Sequence, residues 1–415
     1  MNKYLFSLPL MAVAFGGMIT SCSNDDTLIE GTANANGQEI EFTLDINSRG
    51  NDVTTENLDS IWVYAYSGSG STATERIPLT KFVRNDYDVF KPETPIYWQS
   101  EWGESLTFNA FGPDRNAKCT PSGNPSGGKS YGFVKPTTTT PGALKVQFEH
   151  PQLTGEQIDQ IVATKTVSKQ DSRAGIPLVF QHIYSKIDLK VVKSDDSEYD
   201  IDVYGAGLYI TNSAKTAITY NFSSNSTTTA TTSSGVLYLA VVDNNTPIAV
   251  SSEPKYVDGN NATYFITPQT LEGTQYNPLV EPKGPRASIF LYSKVYDKKG
   301  NLLYPTEHDL TVSDRLAGAG SALINACFTK TDWLKIGKSR IAIAPKMEFK
   351  AGHHYQVTLD LTKGIGYFSG GDPERPNEPV LNPELGVMVE VQEWVDGNLV
   401  NIEVNQGDGT TDQTN

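Results

Sequence analysis

Cysteine, histidine and positive charge are all scarce in this chain of 415 residues. Three Cys and five His leave little raw material for a multi-ligand zinc site. Lys and Arg number 33 against 48 acids, a formal net charge of −15. That balance argues against a surface that tracks phosphates, so nucleic acid is not an expected partner. Only one long apolar run occurs, Tyr4 to Ile19, and it is shorter than the about 20 residues that span a bilayer. Catalytic signatures are also lacking. There is no Gly-x-Ser-x-Gly elbow. Leu316-Ala317-Gly318-Ala319-Gly320-Ser321 has no following Lys-Ser/Thr and makes no phosphate loop. His353 and His354 are adjacent, and adjacent residues on a strand point to opposite faces, so they do not share an ion. Asp309 and Asp314 are one chance pair among 48 acids and are expected on solvated faces. The chain is therefore read as a non-enzyme without a cofactor.

What is present is β-forming. Tyr, Phe, Thr and Gly are frequent, which favours strands joined by many turns. Apolar residues make up 38%, enough for a core. At about 150 residues per domain the length predicts two or three domains.

The N-terminus reads as an address. Lys3 precedes the apolar run, which ends Ile19-Thr20-Ser21-Cys22. Small residues before a Cys resemble a bacterial lipobox, which implies cleavage before Cys22 and acylation of its thiol; an ordinary signal peptide with an incidental Cys is the alternative. Ser23-Asn24-Asp25-Asp26 then resembles the acidic export tether of surface lipoproteins in Gram-negative anaerobes. Cys119 and Cys327 lie far apart in dissimilar surroundings and are read as free, with a disulfide left open.

Ile40, Phe42, Leu44 and Ile46 alternate strictly with polar residues, a half-buried strand that stops at the polar connector Ser48-Arg49-Gly50-Asn51-Asp52. Further strands are predicted at 61–66, 106–110, 144–148 and 161–167. The run 178–191 reads as one long strand with a bulge near His182, where the apolar phase shifts. A domain boundary is placed at Lys193 to Glu198. Beyond it strands are predicted at 201–210, 236–242, 263–267, 287–296, 340–345 and 355–361, with a hairpin turn at Asp297-Lys298-Lys299-Gly300-Asn301 and a Ser/Thr-rich loop at 223–234. Residues 366–383, rich in Gly, Pro and acids, read as a linker. A last hairpin follows. Leu385, Val387, Val389 and Val391 alternate with Gly386, Met388 and Glu390, Trp394 ends that strand, Asp396-Gly397 makes the turn, and Val400, Ile402 and Val404 return. Isolated hairpins are marginal, so this one needs a surface.

Several of these pieces, in this order, resemble the fimbrillin family, the subunits of type V pili. They are the lipobox at Cys22, the strand ending at Arg49, Leu58-Asp59-Ser60-Ile61-Trp62-Val63-Tyr64, Phe180-Gln181-His182-Ile183-Tyr184-Ser185-Lys186-Ile187, Tyr264-Phe265-Ile266-Thr267-Pro268-Gln269, Ala351-Gly352 before Tyr355, and the Val387–Trp394 strand. The resemblance implies an all-β chain of two transthyretin-like Greek-key sandwiches plus a C-terminal hairpin. Its expected parts are a signal peptide (1–21), a propeptide (22–49), N- and C-terminal sandwiches (50–195 and 196–365), and a linker with donor-strand hairpin (366–415). It further implies a lipid-anchored precursor on the outer membrane, cut between Arg49 and Gly50 by a trypsin-like protease. The cut would free the strand Ile40, Phe42, Leu44 and Ile46, and a strand from another copy or a related subunit would refill the groove by β-augmentation, forming a surface fimbrium. Val387, Val389 and Val391, with Trp394, are the donor candidates; that these residues complete their own sandwich is the alternative. Tip or anchor roles also stay open, as does a non-polymerising surface lipoprotein that binds glycan or a host ligand through Tyr97, Trp98 and Trp102.

Overall fold

The computed structural model describes residues 38–46, 58–69, 72–113, 131–134, 145–149, 157–211, 214–231, 236–242, 246–259, 263–271, 286–311, 335–342, 347–368, 379–381, 386–393 and 399–404. Strands β1 (Phe42–Ile46), β2 (Ser60–Ser67), β3 (Thr74–Arg84), β4 (Phe90–Pro92) and β5 (Ser105–Gly112) come first. Strands β6 (Tyr131–Val134), β7 (Lys145–Glu149), β8 (Ile161–Ser168), β9 (Ile176–His182) and β10 (Ser185–Val192) follow. Next are β11 (Tyr199–Thr211), β12 (Lys215–Asn221), β13 (Ser226–Thr231) and β14 (Val236–Val241). The short β15 (Ile248–Ala249), β16 (Lys255–Tyr256), β17 (Thr263–Ile266) and β18 (Gln269–Leu271) lead to the long β19 (Arg286–Asp297) and to β20 (Leu302–Tyr304). One short helix, α1 (Glu307–Thr311), precedes β21 (Gly337–Ala342), β22 (Met347–Phe349), β23 (His353–Asp360) and β24 (Tyr367–Phe368). The hairpin β25 (Gly386–Glu393) and β26 (Leu399–Val404) is last.

The all-β expectation holds. Seven strands of the first half close on themselves in the order β1-β4-β3-β2-β5-β8-β9. Period-two alternation drives this closure: Ile61, Val63 and Ala65 of β2 and Leu106, Phe108 and Ala110 of β5 all face one buried cluster with Ile40, Phe42 and Leu178. The opposite face of β2 is also covered. Trp62, Tyr64 and Tyr66 pack with Phe111 of β5 and with Val146, Ile218 and Tyr220, the last three brought there by a four-stranded sheet ordered β13-β12-β7-β6. Burial on two faces is why 61–66 is apolar without interruption.

The second half stacks a six-stranded sheet, with the path β16-β10-β23-β25-β26, and a seven-stranded sheet, with the path β14-β11-β19-β21-β24. Ile187, Leu189 and Val191 of β10, Val357 and Leu359 of β23, and Ile289 and Leu291 of β19 form their common core. This is a sandwich whose inner faces interdigitate.

Four sequence expectations are corrected. The run 178–191 is two strands, not one bulged strand: β9 stays in the barrel and β10 enters the second core, with Ile183 and Tyr184 buried at the crossing. The apolar phase shift at His182 marks a change of sheet. The sheets therefore part before the boundary expected at 195, and the pairing of β7 with β12 crosses it. The expected loop 223–234 contains β13, paired along its length with β12. The expected linker is fastened at both ends, since Tyr367 and Phe368 pair with β21 and Val380 is buried. The strands β3, β4, β6, β12, β15, β16, β18, β20 and β22 also fall outside the spans predicted from the sequence.

Candidate functional site

The first strand is the stave that completes the barrel. β1 runs parallel to β9, with Phe42 opposite Ile176, Leu44 opposite Leu178 and Ile46 opposite Phe180. On its other side Phe42 bridges Phe90 of β4. Just before β1, the Ile40 N–H donates to the Ile96 carbonyl (2.8 Å), and the Trp98 N–H donates to the Gln38 carbonyl (2.8 Å). The Ile176 N–H donates to the Glu41 carbonyl at 2.9 Å. Taking β1 away would leave β9 and the 96–98 segment with unpaired backbone groups, the template for another strand.

Its inward residues are core residues. Ile40 is 1% exposed and Phe42 fully buried. The Phe42 ring stands edge-on to Phe82 (4.9 Å between centroids) and to Phe108 (5.3 Å), the favoured aromatic geometry. Outward, Lys91 of β4 reaches a carboxylate oxygen of Glu41 at 2.8 Å and one of Glu39 at 3.4 Å. The hydrogen bond that the Lys91 ammonium donates to Glu41 holds it above its usual range, against partial desolvation. Gln38 Nε2 donates to Ser172 Oγ (2.9 Å). Neither Lys91 nor Ser172 was singled out in the sequence. Lys91 sits in a strand of three residues that ends in Pro92, too short to show a period.

The C-terminal hairpin sits on its own chain. β25 pairs antiparallel with β23 along its whole length, with Val387 opposite Leu359, Val389 opposite Val357 and Val391 opposite Tyr355. β26 pairs with β25, Val404 opposite Val387 and Ile402 opposite Val389. In the single chain, then, these residues complete their own sheet, the alternative that the sequence left open. Cys22, Arg49, Gly50 and Trp394 lie outside the described residues, as do Cys119, Cys327, Asp314 and the stretch Leu316–Ser321.

The remaining candidates have structural roles. Trp98 is 1% exposed and its Nε1–H donates to the Gly103 carbonyl at 3.1 Å, so it is a core residue and not a sugar platform. Trp102 packs partly buried on the same core. Asp309 is a capping residue of α1: its carboxylate accepts from the Thr306 N–H and hydroxyl, both at 2.7 Å. His354 does point away from His353; its Nε2 lies 2.8 Å from the Asp188 carboxylate, while His353 Nδ1 contacts the Ala351 carbonyl. Burial pushes Asp188 up, yet the contact with His354, the charge of Lys186 and the Thr263 hydroxyl hold its carboxyl below the usual range. Among the described residues no group of three or more His, Cys, Asp or Glu could hold a metal ion.

A family model described as fimbrillin-like matches residues 48–394. The chain belongs to that family. The matched span begins after β1 and ends before β26. Among solved structures, the chain is similar to a fimbrial protein from Bacteroides vulgatus at 13% identity, covering 85% of this chain and 99% of that one, with a TM-score of 0.49. It is also similar to a candidate cell adhesion protein from Bacteroides uniformis at 14% identity, covering 86% and 98%, with a TM-score of 0.42. Comparison with curated proteins gives no match.

Proposed function

We propose that this chain is a structural subunit of cell-surface fimbriae, matured by proteolysis and assembled by strand exchange. The single observation that carries the reading is that β1, the first described strand, completes the closed barrel between β4 and β9. It is joined to β2 through residues 47–59, which contain Arg49. A cut after Arg49 severs β1 from everything C-terminal to it. Ile40 and Phe42 then leave a groove floored by Phe82 and Phe108 and walled by two strand edges. Each buried apolar side chain put back into such a groove contributes about 1.5–3 kcal/mol, and backbone pairing supplies register.

While β1 stays in place, the acceptor is filled and the precursor has no groove to offer. The lipid on Cys22 holds that precursor at the outer membrane, and the trypsin-like cut turns it into a polymerising unit. The C-terminal hairpin is the donor element, carrying Val387, Val389 and Val391 in one strand and Val400, Ile402 and Val404 in the other. Membership of the fimbrillin-like family supports this reading. N-terminal sequencing of the fibre fraction from the cell surface tests it. A start at Gly50 is expected. Fibres built only of protein that still begins at an acylated Cys22 would overturn it.

A further inference from the structure

The slot that β1 fills has apolar pockets inside and the cation of Lys91 outside. Apolar pockets repeat every second residue along a strand, so an alternating strand fits them equally well after a shift of two. The outward contact narrows that degeneracy: Lys91 lies 2.8 Å from Glu41 and 3.4 Å from Glu39, so it favours a strand with a carboxylate at one of these two outward positions, the nearer being that of Glu41. At the start of β1 the triplet Ile40-Glu41-Phe42, whose first two residues precede the strand, places two side chains in the core and sets the Glu41 carboxylate 2.8 Å from Lys91. Both groups keep about a third of their side chain in solvent, Lys91 36% and Glu41 31%. They can therefore be reached by an exchanging strand.

We infer that Lys91 is a charge key: it selects a strand with a carboxylate between two apolar residues, and in the fibre it meets Glu403 from β26 of a second copy. This rests on the strand-exchange reading above. Two triplets of the right form lie in the C-terminal hairpin, Val389-Glu390-Val391 in β25 and Ile402-Glu403-Val404 in β26. The pairing separates them. β25 lies between β23 and β26, so its departure would uncover the edge of β23 at Tyr355, Val357 and Leu359. These three are core residues of the same subunit. β26 ends the sheet path and pairs with β25. It can leave while β25 still covers β23. Seated with Ile402 at the position of Ile40 and Val404 at that of Phe42, it brings Glu403 to the place of Glu41.

A charge swap in the full chain, followed by light scattering after cleavage, tests this. Lys91→Glu and Glu403→Lys should each slow elongation about fivefold at low salt, the size expected of one partly exposed pair. The double variant Lys91→Glu/Glu403→Lys should return to within about twofold of wild type. The differences should shrink in about 0.5 M NaCl, where the Debye length is only a few ångströms. Circular dichroism melts that match wild type show that the variants fold; Lys91→Gln and Glu403→Gln replace any variant that does not, and should show smaller losses of the same sense. Equal rates for all chains, with wild type polymerising, would overturn the charge key and leave strand exchange standing. Rescue of Lys91→Glu by Glu390→Lys instead would overturn the assignment to Glu403. A wild type that never polymerises after the cut would overturn both readings.

Discussion

Phe42 stands edge-on to two rings at once and has no exposed surface. Truncating it removes both contacts and leaves a cavity inside the barrel. Phe42→Ala should therefore destabilise the uncleaved chain by about 3–5 kcal/mol in urea unfolding. Val179, on the outside of the neighbouring strand, is 58% exposed, and Val179→Ala should cost only about 0.5 kcal/mol. Similar losses at the two positions would contradict the placement of β1. Asp188 makes a different prediction. Its folded-state carboxyl is held low by His354, Lys186 and Thr263. A depressed carboxyl contributes stability that is present above the unfolded value, about 3.9, and is lost as pH falls through the lower folded value. The stability gap between wild type and Asp188→Asn should be widest at pH 5 and above, and should narrow below pH 4. A gap that is constant with pH would assign the loss to packing alone.

At the scale of elements, the strands legible from alternation were those with one clean period, while 61–66 was legible as an unbroken apolar run. β1, β5 and β23 show four, three and four apolar residues in alternation (Ile40 to Ile46; Leu106 to Ala110; Tyr355 to Leu361), and each was read from the sequence. β3 was not. Only Ile77 and Phe82 of its eleven residues are buried, and the register against β2 slips at Val63–Ala65 and Ala65–Tyr66, so no period survives. β13 is a run of Ser, Thr and Ala whose strand character comes from pairing with β12. Context, not propensity, decides such a segment. The bulge in β11 rests on Gly205: its φ is 155°, and a Cβ there would meet the Ala240 carbonyl oxygen at 2.5 Å. Gly205→Ala should cost well over 1 kcal/mol in thermal unfolding, and a neutral result would contradict that geometry. The hairpin gives a sharper test. Ending the chain after residue 397 removes β26 alone and should leave a cooperative melt with no elongation. Ending it after residue 383 removes β25 as well, strips the edge of β23 and should lower the melting temperature further. Equal melts for the two truncations would contradict the role given to β25.

Across the whole molecule, the proposed reading has the N-terminal half expose an assembly groove only when β1 departs, and has the C-terminal half spare β26, which lies at the end of its sheet path. The groove was partly legible: the alternation of Ile40, Phe42, Leu44 and Ile46 and the Arg49 connector stand in the sequence, whereas parallel pairing to β9 and the contact with Lys91 depend on residues about 135 and 50 positions away, respectively, and carry no local signal. The central claim is that removing β1 converts an inert monomer into a unit that joins others. Light scattering on purified precursor, before and after limited trypsin treatment, measures this directly, with Arg49→Ala treated in parallel. Wild type should be monomeric before the cut and should scatter increasingly after it, while Arg49→Ala stays monomeric. Equal growth of the Arg49→Ala chain under the same treatment would contradict the account.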